Sequence, residues 1–183
     1  MSTLTTPGLE PGTYTIDASH TTIGFTARHA MVTKVHGSFT EFEGEAIVAD
    51  NLEDSQASIT IKVASVSTGN EQRDGHLRAN DFFDPENYPE IRFVSTGVGV
   101  DGDTLNVTGD LTIKDTTKSI TVPFEFAGGV TDPWGNHRVG FEGSVVVNRK
   151  DWGVNWNAPL EAGGVLVSEK VTLNFDISAT KNA

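Results

Sequence analysis

The chain contains no cysteine. That absence excludes a disulfide framework and a thiolate-held metal centre, while leaving the redox compartment open. No apolar run approaches the ~18 residues that a membrane-spanning helix needs, so no integral membrane segment is expected. The opening stretch, "MSTLTTPGLEPGTY", shows neither the basic n-region nor the apolar h-region of a secretory signal, and a cytoplasmic location is the expectation. Basic residues are scarce: 13 Lys and Arg stand against 25 Asp and Glu, for a net charge of −12. A field of that sign repels nucleic acid and anionic membrane surfaces unless a local basic patch overrides it. A nucleic-acid partner is therefore not expected. The histidines (His20, His29, His36, His76 and His137) have no tight metal-ligand spacing. Nor is there a G-x-S-x-G elbow, a P-loop or a dinucleotide fingerprint. The acid pair Glu41/Glu43, two apart on a strand-like segment, reads as a solvated face. No catalytic residue, metal site or cofactor is expected.

What is present is alternation. At 183 residues with 37% hydrophobic content, the chain suits one domain with a sizeable core. The expected division is a flexible segment over 1–12 and a single domain over 13–183. Ile23, Phe25 and Ala27 share one face of "TTIGFTARH", and Ala57, Ile59, Ile61 and Val63 share one face of "QASITIKVAS". The same period places Leu105, Val107, Leu111 and Ile113 together, then Ile120, Val122, Phe124 and Phe126, then Val171, Leu173, Phe175 and Ile177. Period two with Val, Ile, Thr and Phe enrichment marks half-buried antiparallel strands. Eight to ten strands are expected, with turns at Asp101-Gly102 and at Gly128-Gly129. Pro123, which lacks an N–H, predicts an edge, a bulge or a strand end. Glycines within strand patterns predict bends or close backbone approach. Strands of eight to eleven residues, each with one apolar face, favour a sheet closed on itself over a sandwich.

One stretch, "GNEQRDGHLRANDFFDPENYPEIRF", breaks the alternation. Thr68 and Glu71 have the T-x-x-E spacing of a capping box, which predicts a short helix reaching about Ala79 with Leu77 as its apolar anchor. Pro85 and Pro89 bias the residues before them to extended geometry. The insertion is thus a helix followed by a rigid loop presenting Phe82, Phe83 and Tyr88, either as a plug over one end of the core or as a gate for a ligand.

These segments together resemble the YceI-like family of lipocalin-type lipid-binding proteins. The resemblance rests on "YTIDASHTTIGFTARH", "VHGSFTEFEGEA", the insertion, "LTIKDTTKSITVPFEF", and "NRKDWG" followed by "VSEKVTLNFDI". It implies an all-β fold, an extended antiparallel barrel of about eight strands with one short helix-loop insertion. It also implies a lumen that takes a long-chain lipid such as a polyisoprenoid, an isoprenoid quinone or pyrophosphate, or a fatty amide, for storage or transport; that the chain is not an enzyme is expected from the missing catalytic motifs. A homodimer fits the resemblance. A tilted ten-residue strand spans roughly 25 Å, which suits a chain of roughly twenty carbons.

On this reading the lumen is lined by Phe25, His29, Phe39, Ile59, Ile61, Phe82, Phe83, Phe93, Val107, Phe124 and Phe141. A polar headgroup is expected beside Arg28, Lys34 and His36, in a segment without acids, because guanidinium and ammonium donors suit phosphate oxygens. The insertion adds Arg73, His76 and Arg78 to these cations; the alternative is an ordinary surface turn with Arg73 and Arg78 paired to Asp74, Asp81 or Asp84. Two alternatives stay open: a lipid-modifying accessory enzyme, and a ligand-free stress or interaction scaffold whose lumen is filled by Phe and Leu.

Overall fold

A computed structural model describes residues 8–79, 83–154 and 167–182. Eleven strand segments form one sheet: β1 (Gly12–Ile16), β2 (Thr22–His29), β3 (Thr33–Phe39), β4 (Phe42–Val48), β5 (Gln56–Lys62), β6 (Val66–Ser67), β7 (Glu90–Asp101), β8 (Thr104–Ile113), β9 (Thr116–Thr131), β10 (His137–Asn148) and β11 (Lys170–Lys181). Every pairing is antiparallel, and a β1–β11 pairing closes the sheet.

Eleven segments make eight staves, because three staves are broken in two. β1 and β2 run one after the other along β11, with Ile16 opposite Ala179 and Thr22 opposite Asp176. β4 and β3 follow along β1 and β2, and β5 and β6 follow along β4 and β3. The result is the closed eight-stranded barrel that the alternation and strand lengths predict. The period-two faces point inward: Ile59, Leu105, Leu111, Val122, Phe124 and Ile177 are all buried, and Val107 is half-buried in the same cluster.

Two expectations about breakers are answered differently. Pro123 sits opposite Asn106 of β8, at the point where the β9–β10 ladder has just ended at Phe124, so its missing N–H removes no ladder bond. Gly128 and Gly129, expected as a turn, instead lie inside β9. The register between β9 and β10 shifts beside them, from Gly140 opposite Gly128 to Phe141 opposite Phe126. A side chain on Gly129 would overlap the Gly8 backbone. The pair therefore serves a bulge and a close approach. The turn falls at 132–136, where the Asp132 carboxylate accepts from the Trp134 and Asn136 amides.

The insertion holds α1 (Glu71–Leu77), shorter than expected and capped differently. Asn70, not Thr68, is the N-cap, and its side chain accepts from the Arg73 amide at 3.0 Å. Thr68 stands outside the helix because Gly69, at φ +81°, turns the chain between them. Its amide and hydroxyl both donate to the buried Asp74 carboxylate, at 2.8 and 2.6 Å. Among the described residues no ion pair joins Arg73 or Arg78 to Asp74 or Asp84, and Asp81 lies outside them. Arg73 donates to the Thr68 hydroxyl and carbonyl, and Arg78 to the Ala64 and Val66 carbonyls. Both guanidiniums strap α1 to the end of the β5–β6 stave.

The two ends of the barrel differ. One gathers the β2–β3 turn, the insertion, the β8–β9 turn and a 3₁₀ turn, Arg149–Trp152. The other holds the β4–β5, β7–β8 and β9–β10 turns and both described termini. At that second end Tyr14, Val48, Phe126, Val139 and Ala179 form a separate buried cluster, and the Tyr14 hydroxyl donates to the Glu10 carbonyl at 2.7 Å.

Candidate functional site

The inward faces do not fill the barrel. A cavity of about 270 Å³ runs from Leu9 and Tyr14 at one end to Leu77, Phe83 and Trp152 beneath the insertion. This is near the lower edge of the roughly 300–1,000 Å³ typical of ligand pockets, a size for one slender guest. Side chains leave that space because several rings lie flat on the wall. A Cβ on Gly37 would overlap the Phe25 ring, one on Gly109 the Phe93 ring, and one on Gly143 the Phe124 ring. Each glycine makes a dent into which the neighbouring ring sinks, away from the axis.

Nine of the expected lining residues border this cavity: Phe25, Phe39, Ile59, Ile61, Phe83, Phe93, Val107, Phe124 and Phe141. Phe83 packs edge-on against Phe39 with ring centroids 6.0 Å apart, so the insertion touches the lumen. Phe82 lies outside the described residues. His29 does not border the cavity: Ala27 does, but β2 then overhangs the rim, leaving the His29 side chain exposed.

The expected headgroup cluster is turned the wrong way for the lumen. Ile23, Phe25 and Ala27 face inward, so Arg28 faces outward, and its cross-strand partner Lys34 follows it. His36 shares that outer face, with Nδ1 3.1 Å from the Thr26 hydroxyl. All three are exposed. A strand period of two leaves no alternative once the apolar face is inside.

The structure supplies a different cation. Arg149 borders the cavity at the insertion end and is buried. Its Nε donates to the Ser168 carbonyl (2.8 Å), Nη1 to Val154 (2.6 Å) and Nη2 to Val167 (3.3 Å). Burial holds its pKa below the usual guanidinium value, an effect opposed by the nearby Glu169 carboxylate. A guanidinium has five N–H donors, and each of its three nitrogens gives one to a carbonyl of a described residue. Beside it, buried Trp152 donates its indole N–H to the Leu111 carbonyl at 2.9 Å. Neither residue was legible as a lumen residue. "NRKDWG" reads as a polar turn, and only burial by distant strands distinguishes its arginine from a solvated one.

Other polar clusters lie outside the barrel. Arg138 bridges Asp17 at 2.7 Å and Asp132 at 3.5 Å, bracing the β9–β10 hairpin to the β1–β2 break. Bonds from Ser19, Arg138 and His20 hold the Asp17 carboxyl well below the usual carboxylate range. Among the described residues no group of His, Cys, Asp or Glu is placed to hold a metal ion. No histidine and no pair of acids borders the cavity among them either. What this interior can do is desolvate an apolar chain and offer one guanidinium at its insertion end.

Known proteins of this shape and sequence bear on that reading. A UPF0312 protein of Photorhabdus laumondii is 39% identical over 146 residues, spanning 79% of this chain and 75% of the relative. The crystal structure of BcnA from Burkholderia cenocepacia superposes with a TM-score of 0.79 at 25% identity, over 90% of this chain and 99% of that one. A domain from Saccharophagus degradans, described as polyisoprenoid binding, shares the fold with a TM-score of 0.72 at 15% identity, over 94% of this chain and 100% of that one. The YceI-like domain matches residues 14–179. With its closed eight-stranded barrel, its helix-loop insertion and this match over nearly its whole length, the chain belongs to the YceI-like family.

Proposed function

We propose that this protein holds one long apolar or amphiphilic lipid in its lumen, for storage or carriage, and is not itself a catalyst. The observation that carries this reading is the apolar cavity running along the barrel from the Tyr14 cluster to the insertion. Each buried CH₂ contributes about 0.8 kcal/mol, so a chain of a dozen or more carbons offsets the ordering costs of binding. The polyisoprenoid-binding description of the Saccharophagus degradans domain supports the chemistry, since that domain has the same fold.

The chain enters at the insertion end. The opposite end holds the buried Tyr14 cluster, whereas the insertion end is covered by a short helix and loop that touch the lumen through Leu77 and Phe83. The polar end of the lipid rests near Arg149, whose guanidinium donors suit an oxygen-bearing headgroup. On this reading Arg28, Lys34 and His36 are not the headgroup site.

Organic extraction of the natively purified protein, followed by mass spectrometry, tests the proposal. The expected result is one class of long-chain lipid at about equimolar amount. Protein that yields no lipid, and that also takes up none of a panel of prenyl alcohols, quinones and fatty amides, overturns it in favour of a ligand-free scaffold.

A further inference from the structure

Charge is scarce along the lumen and balanced at its mouth. Among the described residues that border the cavity, Arg149 and Glu45 alone carry charge. Glu45 lies between Gly44 and Ala46, which take the inward positions of β4, and its side chain is exposed. Arg149 is therefore the one charged group among them that faces the interior, and it is only 7% exposed. Its three nitrogens donate to the carbonyls of Ser168, Val154 and Val167. The atoms nearest the guanidinium are thus oxygens carrying partial negative charge, which oppose an anion beside it.

The neighbouring cations are answered by acids. Lys150 pairs with Glu169 at 2.9 Å, and the same carboxylate offsets the charge of Arg149. On the turns beside the mouth, Lys118 and Lys170 stand against Asp115 and Asp151, and Lys114 lies over the Tyr88 ring, 6.0 Å from its centroid. On the insertion, Arg73 and Arg78 donate to backbone carbonyls and are outnumbered by Glu71, Asp74, Asp84 and Glu86. Arg28 and Lys34 share the outer face of β2 and β3. The stretches 80–82 and 155–166 contain no lysine, arginine or histidine, and each holds an acid, Asp81 and Glu161. Whatever they touch, they bring no positive charge to the mouth.

A phosphate ester carries roughly −1.5 to −2 charges at pH 7, and a pyrophosphate more. Drawn in beneath the insertion, such a group gives up its hydration for one guanidinium whose nitrogens already face carbonyls. The excess charge stays unpaired, which is costly. A hydroxyl, a quinone carbonyl or an amide loses far less hydration and is satisfied by hydrogen bonds alone. We infer that the lumen selects lipids whose polar end is uncharged, and that Glu169 keeps the mouth from favouring an anion. The inference rests on the lumen-binding reading and deepens it. Glu169 acts through Arg149 and Lys150 and is a positioning residue.

Displacement of a fluorescent long-chain alcohol by matched pairs of ligands tests it. The pairs are geranylgeraniol against its pyrophosphate, and hexadecanamide against hexadecanoate at a pH where the acid is ionised. In each pair the uncharged member should bind about tenfold or more tightly, with little change as salt rises. Glu169→Gln alters a side chain that is 45% exposed, so the barrel should fold. It should bring the charged members closer by about two- to fivefold, and Glu169→Asp should restore the gap. Glu53→Gln, an equal charge change at the other end, should leave the gap unaltered. Damage to the barrel would weaken both members of a pair alike and leave their ratio where it was, so the ratio reads the role. Equal or tighter binding of the charged member in either pair overturns the inference and leaves the proposed function standing. A ratio unmoved by Glu169→Gln overturns the part assigned to Glu169. If no member of either pair binds, the proposed function falls and this inference with it.

Discussion

At the scale of single residues, glycine and aspartate decide more than the large side chains. The rings that line the lumen keep clear of its axis because glycines on neighbouring strands let them lie flat. Gly109→Ala would place a Cβ 2.6 Å from the Val94 carbonyl as well as into the Phe93 ring. Backbone and ring must both move, at a cost of about 1–3 kcal/mol. At roughly 2–4 °C per kcal/mol for a chain of this size, calorimetry should show a clear fall in Tm, with lipid affinity falling too as the ring swings inward. Asp17 governs part of the acid response. Its folded-state pKa lies below the ordinary value near 3.9, so the native state prefers it ionised. Its contribution is fully present above that ordinary value and is lost as pH falls through the lowered folded value. Tm measured against pH should drop more steeply below about pH 4 in the natural chain than in Asp17→Asn, which lacks the contribution throughout.

At the scale of elements, the insertion explains itself once its bonds are traced. On the proposed function, an all-β chain interrupts itself at Thr68 because a barrel that admits a lipid needs an apolar cover on its mouth. The cover is strapped down by Arg73, Arg78 and Asp74 and touches the lumen through Leu77 and Phe83. Phe83 is only half-buried and belongs to the cover, not to a stave. Phe83→Ala should therefore leave the barrel folded, with stability lowered by about 1–3 kcal/mol, less than for a fully buried ring. The off-rate of a fluorescent long-chain lipid, followed by stopped flow, should rise about tenfold, since affinity changes within one site fall mainly on dissociation. Unfolding of this variant would show that the insertion is a plug and part of the core; an unchanged off-rate would show that it does not gate the lumen.

At the scale of the whole molecule, the barrel trades packing for space. Interiors are close-packed as a rule, and a lumen left open gives up contacts that side chains could make. Filling it should therefore separate folding from function. Val107→Phe adds volume inside the cavity without touching the cover. The expected outcome is a Tm equal to or above that of the natural chain, together with lipid uptake reduced to a small fraction in the same assay. Loss of stability together with intact uptake would mean that the cavity near Val107 is not where the chain lies.

How much of this was written in the sequence follows from what each feature depends on. Alternation is a local property: a strand turns successive side chains to opposite faces whatever surrounds it. The inward faces through Ile23, Ile59, Val107 and Phe124 were therefore legible, as was the break in pattern that locates the insertion. The absence of cysteine likewise decided chemistry without any coordinates. Features that depend on register between distant strands were not legible. Arg28, Lys34 and His36 look like a cluster in the chain, yet the inward demand of Phe25 and Ala27 turns them outside. Arg149 looks like a surface arginine until the Val154, Val167 and Ser168 carbonyls close around it. The helix cap moved from Thr68 to Asn70 because Gly69 turns the chain, and Gly128-Gly129 left the turn because Gly8 packs on them. Period and composition act over a few residues, whereas burial, overhang and close approach are set by strands that meet only when the barrel closes.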